Sequence, residues 1–356
     1  MLSQTTDRFG QYPAADKLIG GLFGLQSTVV TETSGAVRFL DSQNIFFANA
    51  TSALAVLIKH LRPGRVWLPS YMCVALRIAV QHAGAAASFY PIDRELAVQS
   101  LAWLDEVGPG DAVVMIDYYG SLISAEHVNM IRERGAVVIE DATQALLSKD
   151  AGSRGDFAVF SPRKFLGVPD GGILFINRPL NREEFILSAS PENWWLDALN
   201  ATILRRQFDT HGGSRDWFAL FQRAEANAPV GEFRMSDLSR ILLDRCFDYP
   251  AIAKQRCENY DKLYTHLADI ALLPSRSSSV VPLAFPIRIQ NRDRLRHILF
   301  QHQIYPPIHW PLEDIVPERF SDSHKLSSEI MSLPCDQRYD ERDMERMIGI
   351  IRQGMA

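Results

Sequence analysis

A carboxylate at the end of one apolar run and a Ser-x-x-Lys at the end of the next mark the chemically richest part of this chain. They lie in VVIEDATQALLSKDAGSRGDFAVFSPRKFLGVPDGGILFIN, Val137 to Asn177, where Glu140-Asp141 closes the first run and Ser161-Pro162-Arg163-Lys164 the second. A lysine amine condenses with a carbonyl carbon, a carboxylate holds a proton on a basic ring nitrogen, and hydroxyls beside free N–H groups bind an anion. Taken singly, each residue has a plainer reading: Lys164 as a surface lysine in a basic turn, Asp141 as a strand-end acid.

The elements around these residues bring them together. NIFFA (44–48) reads as a strand and TSALAVLIKHL (51–61) as a helix. RVWLP, AASFYPI, DAVVMIDYY and AVVIE follow as strands, with helices at YMCVALRIAVQHAG and AEHVNMIRERG. This βαβα order with short connections predicts an α/β fold with a mostly parallel sheet covered on both faces. DFAVFS and GGILFIN extend the sheet with no helix between them, so antiparallel pairing is expected there.

Ligands of open α/β sheets bind beyond the carboxyl ends of the strands. Four loops should meet there: Asn49-Ala50-Thr51, Pro69-Ser70-Tyr71, Asp141 to Gln144, and Ser161 to Lys164. Thr51 by itself reads as a helix N-cap. Together, however, the loops offer two hydroxyls, a helix start, an amine and a carboxylate. A phosphorylated aldehyde with a basic ring nitrogen would use all of them, and that molecule is pyridoxal 5'-phosphate.

Composition narrows the rest. The 356 residues are 47% hydrophobic and 22% charged, with a net charge of −5. No basic block favours nucleic acid. Four scattered cysteines without a C-x-x-C pair suit a reducing cytoplasm, and nine histidines without an H-x-x-x-H pattern give a metal site little support. The polar LSQTTDRFGQ after Met1 lacks the order of a signal peptide, and no run reaches the roughly 18 apolar residues of a membrane span. Residues 181–230 read as helical but irregular. A long helical pattern from Ser236 to about His266 breaks near Tyr249-Pro250; VVPLAFPIRI then reads as a strand, and RDRLRHILFQHQI and DERDMERMIGIIRQG as helices. The expected division is a large cofactor-binding domain over 1–240 and a smaller α+β domain over 241–356.

The sequence resembles the DegT/StrS-type family of sugar aminotransferases, of the aspartate aminotransferase fold. NATSAL resembles the family's S-G-T-x-A-L, LPSYMCVA its P-S-x-T-x-V-A, IDYYG its V-H-L-Y-G, and VVIEDATQA its V-I-E-D-A-A-Q-A. GDFAVFS…K…DGG, FRMSDL, IHWPLE and MSLPCDQRYDERDMERMI are similar to later family segments, in the same order. The resemblance runs from about residue 44 to the end and is weak across 181–228.

It implies a PLP-dependent aminotransferase moving an amino group from glutamate to a keto-sugar nucleotide, as a cytoplasmic homodimer with no nucleic-acid or membrane partner. Other PLP chemistry on the same scaffold, transamination of a small ketone, and a non-catalytic regulator or complex subunit are the alternatives. By resemblance Lys164 is the catalytic lysine that holds the cofactor and moves the proton. Asp141 pairs with the ring nitrogen, Gln144 sits by the phenolic oxygen, and Ser161, Thr51 and the N–H of Ala50 hold the phosphate. The chain departs from the family where Ala50 replaces a glycine, Asp117 a histidine and Glu232 an asparagine that reaches the partner's phosphate. Cys73 stands where an aromatic stacks on the cofactor, and Tyr71, two residues earlier, is the expected substitute.

Overall fold

The computed structural model describes residues 17–26, 37–98 and 100–355; the polar segment after Met1 lies outside them. In chain order the strands are β1 (Ile19–Gly20), β2 (Ile45–Phe47), β3 (Val66–Pro69), β4 (Ala87–Tyr90), β5 (Ala112–Ile116), β6 (Val137–Asp141), β7 (Phe157–Phe160), β8 (Gly172–Ile176), β9 (Phe285–Arg288), β10 (Ile304–Tyr305) and β11 (Ile330–Leu333). The helices are α1 (Ala50–Leu61), α2 (Val74–His82), α3 (Ala125–Glu133), α4 (Glu192–His211), α5 (Asp216–Ala226), α6 (Asp237–Arg245), α7 (Tyr249–Leu267), α8 (Arg292–Gln301), α9 (Ser321–Glu329) and α10 (Glu341–Met355).

Seven strands form the main sheet in the order β2-β8-β7-β6-β5-β3-β4. Neighbours from β7 through β6, β5 and β3 to β4 are parallel, whereas β8 is antiparallel to both β7 and β2. Two reversals restore direction, so β2 points the same way as β7. Six strands therefore end at one edge of the sheet, and β8 begins there. Every residue of β3, β5 and β7 is buried, as helices on both faces require. Leu54 and Leu57 of α1, Val113, Ile139 and Val159 belong to this core.

Asn49 starts α1: its side chain accepts the Ser52 N–H at 2.8 Å. The expected Thr51 cap is thus displaced two residues upstream, and Ala50 is already helical. The helix of α2 begins at Val74, three residues later than the sequence pattern implied. The preceding residues leave β3 first: Ser70 accepts the Ile92 N–H through Oγ, and the Tyr71 carbonyl accepts the Tyr118 hydroxyl.

A second core joins Tyr260, Leu263, Phe285, Ile287, Met331, Leu333, Met344, Met347 and Ile351, with Ile19 contributed from the other end of the chain. β9 and β11 pair antiparallel within it, Ile287 opposite Met331, and β1 runs parallel to β10. No sequence pattern pointed to α9, because SDSHKLSSE carries one apolar residue, Leu326, beside the buried hydroxyls of Ser323 and Ser327.

The tightest backbone approach at the sheet edge is at Gly172, the first residue of β8. A Cβ there would lie 2.2 Å from the Asn49 carbonyl carbon and 2.4 Å from the Ala50 nitrogen. Backbone on the far side has no rotamer by which to yield. Gly172→Ala is expected to cost about 2 kcal/mol or more through overpacking, measurable as a lowered urea midpoint with an unchanged m-value.

Candidate active site

The shared strand direction brings the loops to one place. A cavity of about 920 Å³ lies over this edge, and Ala50, Thr51, Asp141, Ser161 and Lys164 all line it. Ala50 and Thr51 present the first turn of α1, whose N–H groups have no carbonyl one turn back, beside the positive end of the helix dipole. Ala50 is helical and not among the residues of positive φ, so its methyl costs nothing in backbone conformation.

Asp141 ends β6 almost fully buried. Its Oδ1 accepts the Thr143 N–H at 3.0 Å, while Oδ2 has no protein partner among the described residues. Lys164 rides on the short turn after β7, whose backbone closes from the Lys164 N–H to the Ser161 carbonyl at 3.2 Å. Its Nζ donates to Thr143 Oγ1 at 2.8 Å. Thr143 thus ties the lysine to the loop of the acid, a role the sequence reading did not assign.

Gln144 lies behind the cavity wall. Its Oε1 accepts the Tyr119 N–H at 2.8 Å, and its Nε2 is a buried donor with no protein acceptor among the described residues. A buried amide without an acceptor is costly unless something else accepts from it.

The structure does not bring Tyr71 to the cavity, which corrects the expectation that its ring forms a wall there. Leaving β3 before the helix begins, the chain turns that ring inward. It is fully buried, 5.6 Å from the Trp310 ring and 6.1 Å from Tyr118. Cys73 lines the cavity instead. Burial pushes its thiol up, against the pull of the Lys164 amine. Glu232 is also absent from the wall; it pairs with Lys59 at 2.6 Å on the surface.

His309 was not singled out by the sequence reading beyond its place in IHWPLE, yet it lines the cavity. Its Nδ1 lies 2.8 Å from Ser332 Oγ, which is 2.8 Å from the Tyr119 hydroxyl. The buried Tyr119 hydroxyl has Ser332 as its one acceptor among the described residues, so its proton points there. Ser332 must then donate to His309 Nδ1, which leaves the imidazole proton on Nε2. Desolvation first, and then the Lys164 charge, push the ring's pKa down to about 3. His309 is a neutral donor at working pH.

Asp117, the residue in place of the family histidine, stays beneath the site. It is fully buried, and its Oδ1 accepts the Ile123 N–H at 2.8 Å. Neighbouring Glu140 already accepts three backbone N–H groups, from Gly152 at 2.6 Å and from Arg154 and Gly155 at 2.8 Å. Desolvation, then the Glu140 charge, raise Asp117 well above the usual carboxylate range. Of the two carboxyls, Asp117 is therefore the one on which a proton is favoured. Its own N–H donates to the Asp141 carbonyl at 3.0 Å.

The outer wall has a different character. Trp217, Phe218 and Phe221 of α5 face the cavity with Phe300 and Tyr305, and Arg215, Arg296 and Arg338 stand among them. Arg215 donates to the Tyr305 hydroxyl at 2.8 Å and lies over its ring. An Arg163–Glu225 ion pair joins the lysine turn to α5. Among the described residues no group of three His, Cys, Asp or Glu side chains is arranged for a metal ion, and no helix is long and apolar enough to cross a membrane.

A parallel sheet with this switch of strand direction, and a lysine beside an acid at its carboxyl edge, is the architecture of aspartate aminotransferase-like enzymes. A model of the DegT/DnrJ/EryC1/StrS aminotransferase family matches residues 38–352, and the chain belongs to that family. Among solved structures, Helicobacter pylori PseC, an aminotransferase involved in the biosynthesis of pseudoaminic acid, superposes with a TM-score of 0.70 at 16% identity. That match covers 95% of this chain and 99% of the other. The putative sugar aminotransferase Spr1654 from Streptococcus pneumoniae in its PLP-form gives 0.66 at 15% identity over 90% and 92%. Streptoalloteichus hindustanus TlmJ, also an aminotransferase, gives 0.67 at 19% identity over 94% and 99%. No curated protein sequence matches the chain.

The proton on Asp117 makes stability depend on pH. Its folded pKa lies above the unfolded value of about 3.9, so above that pH the unfolded chain releases a proton that the folded chain keeps. The contribution is full in acid and is lost as pH rises, at up to about 1.4 kcal/mol per pH unit, until the native group ionises. Asp117→Asn removes the titration while preserving an acceptor for the Ile123 N–H. Urea midpoints at pH 5 and pH 8 should therefore diverge, with the variant gaining on the wild type at the higher pH. Equal pH dependence of the two proteins would contradict the assignment.

Proposed function

We propose that this protein is a pyridoxal-phosphate-dependent aminotransferase whose acceptor is a keto-sugar carrying an anionic group. The observation that carries the reading is the single cavity lined at once by the α1 N-terminus, Ser161, Lys164 and Asp141. The donor set fits the cofactor at its phosphate and at its ring nitrogen. First-turn N–H groups with Thr51 and Ser161 suit a phosphate, and the free Asp141 Oδ2 suits a protonated ring nitrogen. Gln144, expected beside the phenolic oxygen, lies behind the wall and is not part of the set that lines the cavity. When bound, pyridoxal phosphate supplies an aldehyde and a ring that takes up the electron pair left when a C–H proton departs.

The chain's own groups do the rest. The α1 terminus and the hydroxyls of Thr51 and Ser161 would hold the phosphate. Asp141 would keep the ring nitrogen protonated, and the hydrogen bond from the Thr143 N–H holds its carboxylate in place. Lys164 Nζ would hold the aldehyde carbon and, as a free amine, would be the group that carries the proton between carbons. Thr143 Oγ1, 2.8 Å from that nitrogen in the present structure, gives the free amine a resting partner. His309 offers its Nε2–H to a substrate oxygen without supplying charge. α5, held to the lysine turn by Arg163 and Glu225, narrows the opening to water.

Arginines set among aromatic rings support an acceptor that has both a ring and a negative group, as a keto-sugar nucleotide has. The same arginines suit the carboxylates of glutamate as amino donor. We place the boundary between the two parts of the chain near residue 240, because the second core begins in α7. Four free thiols support a reducing cytoplasm. The resemblance at Gly231 to Asp237 to the family segment that approaches a partner's cofactor supports a homodimer. Light scattering should give twice the chain mass, and an active monomer would rule that out.

The purified protein incubated with pyridoxal phosphate should turn yellow, and borohydride should fix the cofactor on Lys164. Lys164→Ala should lose the colour and at least about a thousandfold in turnover, as removal of a covalent catalyst does. Peptide mapping decides the matter: label on Lys149 or Lys254 would overturn the assignment.

A further inference from the structure

Arg256 of α7 is fully buried, and no carboxylate lies within ion-pair distance of it among the described residues. The nearby Asp336 is occupied by Arg338, at 2.8 Å to Nε and 2.9 Å to Nη2. Arg256 gives its protons to neutral acceptors instead. Nε donates to Gln337 Oε1 at 2.8 Å, Nη1 to the carbonyls of Pro282 and Leu283 at 3.1 Å each, and Nη2 to the carbonyl of Phe165 at 3.3 Å. Gln337 Nε2 donates to that same Phe165 carbonyl at 2.6 Å. The guanidinium also lies over the Phe165 ring, 4.4 Å from its centroid.

Burying a cation without a direct counter-ion is unfavourable, and an apolar side chain of similar volume is often at least as stable in such a place. What an apolar side chain lacks is a rigid fork of donors that fixes several carbonyls at once. The carbonyls held here belong to three segments of the cavity wall. Phe165 follows Lys164 directly, Leu283 lines the cavity, and Gln337 stands between Asp336 and Arg338, which also line it. Phe165 closes the turn that carries the lysine, its N–H donating to the Pro162 carbonyl at 2.9 Å. Fixing its carbonyl fixes the backbone from which Lys164 projects.

We propose that Arg256, assisted by Gln337, is a positioning residue for Lys164, seating the lysine turn through the Phe165 carbonyl and coupling it to the packing of α7 against the second core. This rests on Lys164 being the residue that binds the cofactor aldehyde. Arg256 itself touches neither cofactor nor substrate.

The test uses the full chain loaded with pyridoxal phosphate, comparing wild type with Arg256→Met, Arg256→Lys and Gln337→Leu. Two readouts report the seat of the lysine: the affinity for pyridoxal phosphate, and the pH midpoint of the visible band that depends on Lys164. Thermal unfolding is followed in parallel. Arg256→Met should weaken cofactor binding about tenfold and displace the midpoint from that of the wild type, because the carbonyl that seats the lysine turn loses its donor. Arg256→Lys keeps the charge and loses the fork, and Gln337→Leu loses both the bond to the Phe165 carbonyl and the acceptor of Arg256 Nε while leaving the guanidinium in place; each should weaken cofactor binding several-fold and shift the midpoint less. Lower thermal stability with wild-type affinity and midpoint in all variants would make Arg256 a packing residue and overturn the proposal. If Arg256→Met does not fold, an unshifted Gln337→Leu overturns it alone. A wild-type protein that takes no label on Lys164 would instead refute the functional reading, and this inference with it.

Discussion

The site depends on one backbone contact, that of the first residue of β8 against the loop that opens α1. β8 runs against its two neighbours and starts at the edge where the other six strands end. Its start must therefore lie flat against the first turn of α1, at a distance that admits no side chain at Gly172. Once that contact is made, the helix terminus is fixed relative to β7 and β6, the strands that deliver Ser161, Lys164 and Asp141. The hydrogen bond from the Gly171 N–H to the Ala48 carbonyl, 2.7 Å, secures the same junction. Asp170 adds a third tie: its carboxylate accepts from the Ser236 N–H at 2.7 Å and the Ser236 hydroxyl at 2.6 Å, and from Ser239. The Asp-Gly-Gly run is thus a junction rather than a loop.

A second constraint is electrostatic. Three carboxyl groups, Asp117, Glu140 and Asp141, crowd the ends of β5 and β6, and three negative charges at that distance would repel one another strongly in a poorly solvated interior. The structure separates their roles. Glu140 is spent on three backbone donors of the following loop, a proton is favoured on Asp117, and Asp141 alone turns an oxygen to the cavity. The family histidine that Asp117 replaces would have brought a ring and a different donor pattern to this floor. A protonated carboxyl is a smaller occupant, and it leaves the Asp141 backbone held through the Asp117 N–H.

The central sheet and the cluster of polar strand ends were legible because they rest on local signals. Apolar runs of four or five residues ending in polar groups make parallel strands readable, and the direction rule places their ends together. The same signals failed where burial is not apolar. The buried face of α4 includes Thr202 and Arg205 between Ala198 and Ala201 and the helix end, so its period is masked. α9 buries serines. β1 and β10 are two residues each, and only pairing between distant parts of the chain makes them strands. His309 escaped for a related reason. A lone histidine in a segment of irregular structure signals nothing until Tyr119 and Ser332, both remote in sequence, are seen to fix its tautomer.

Tyr71 shows where local reasoning misleads. An aromatic near a vacated aromatic position looks like a replacement, but a shift of two residues matters more than ring type at a strand–helix junction. Ser70 is committed to Ile92 and Ser323, and the Tyr71 carbonyl to Tyr118, so the backbone path is set before the side chain can choose a direction. The ring then enters the cluster with Tyr118 and Trp310, a neighbour of His309. Cys73, at the N-cap of α2, is left facing the cavity with a side chain far smaller than a ring. This wall is consequently wider than an aromatic would leave it. The flat surfaces of the cavity lie on α5 and around Tyr305, among the arginines. The rings and arginines of the cavity are thus set apart from the strand ends that carry Asp141 and Lys164, and α5, which supplies three of the rings, lies in the segment where the sequence least resembles its family.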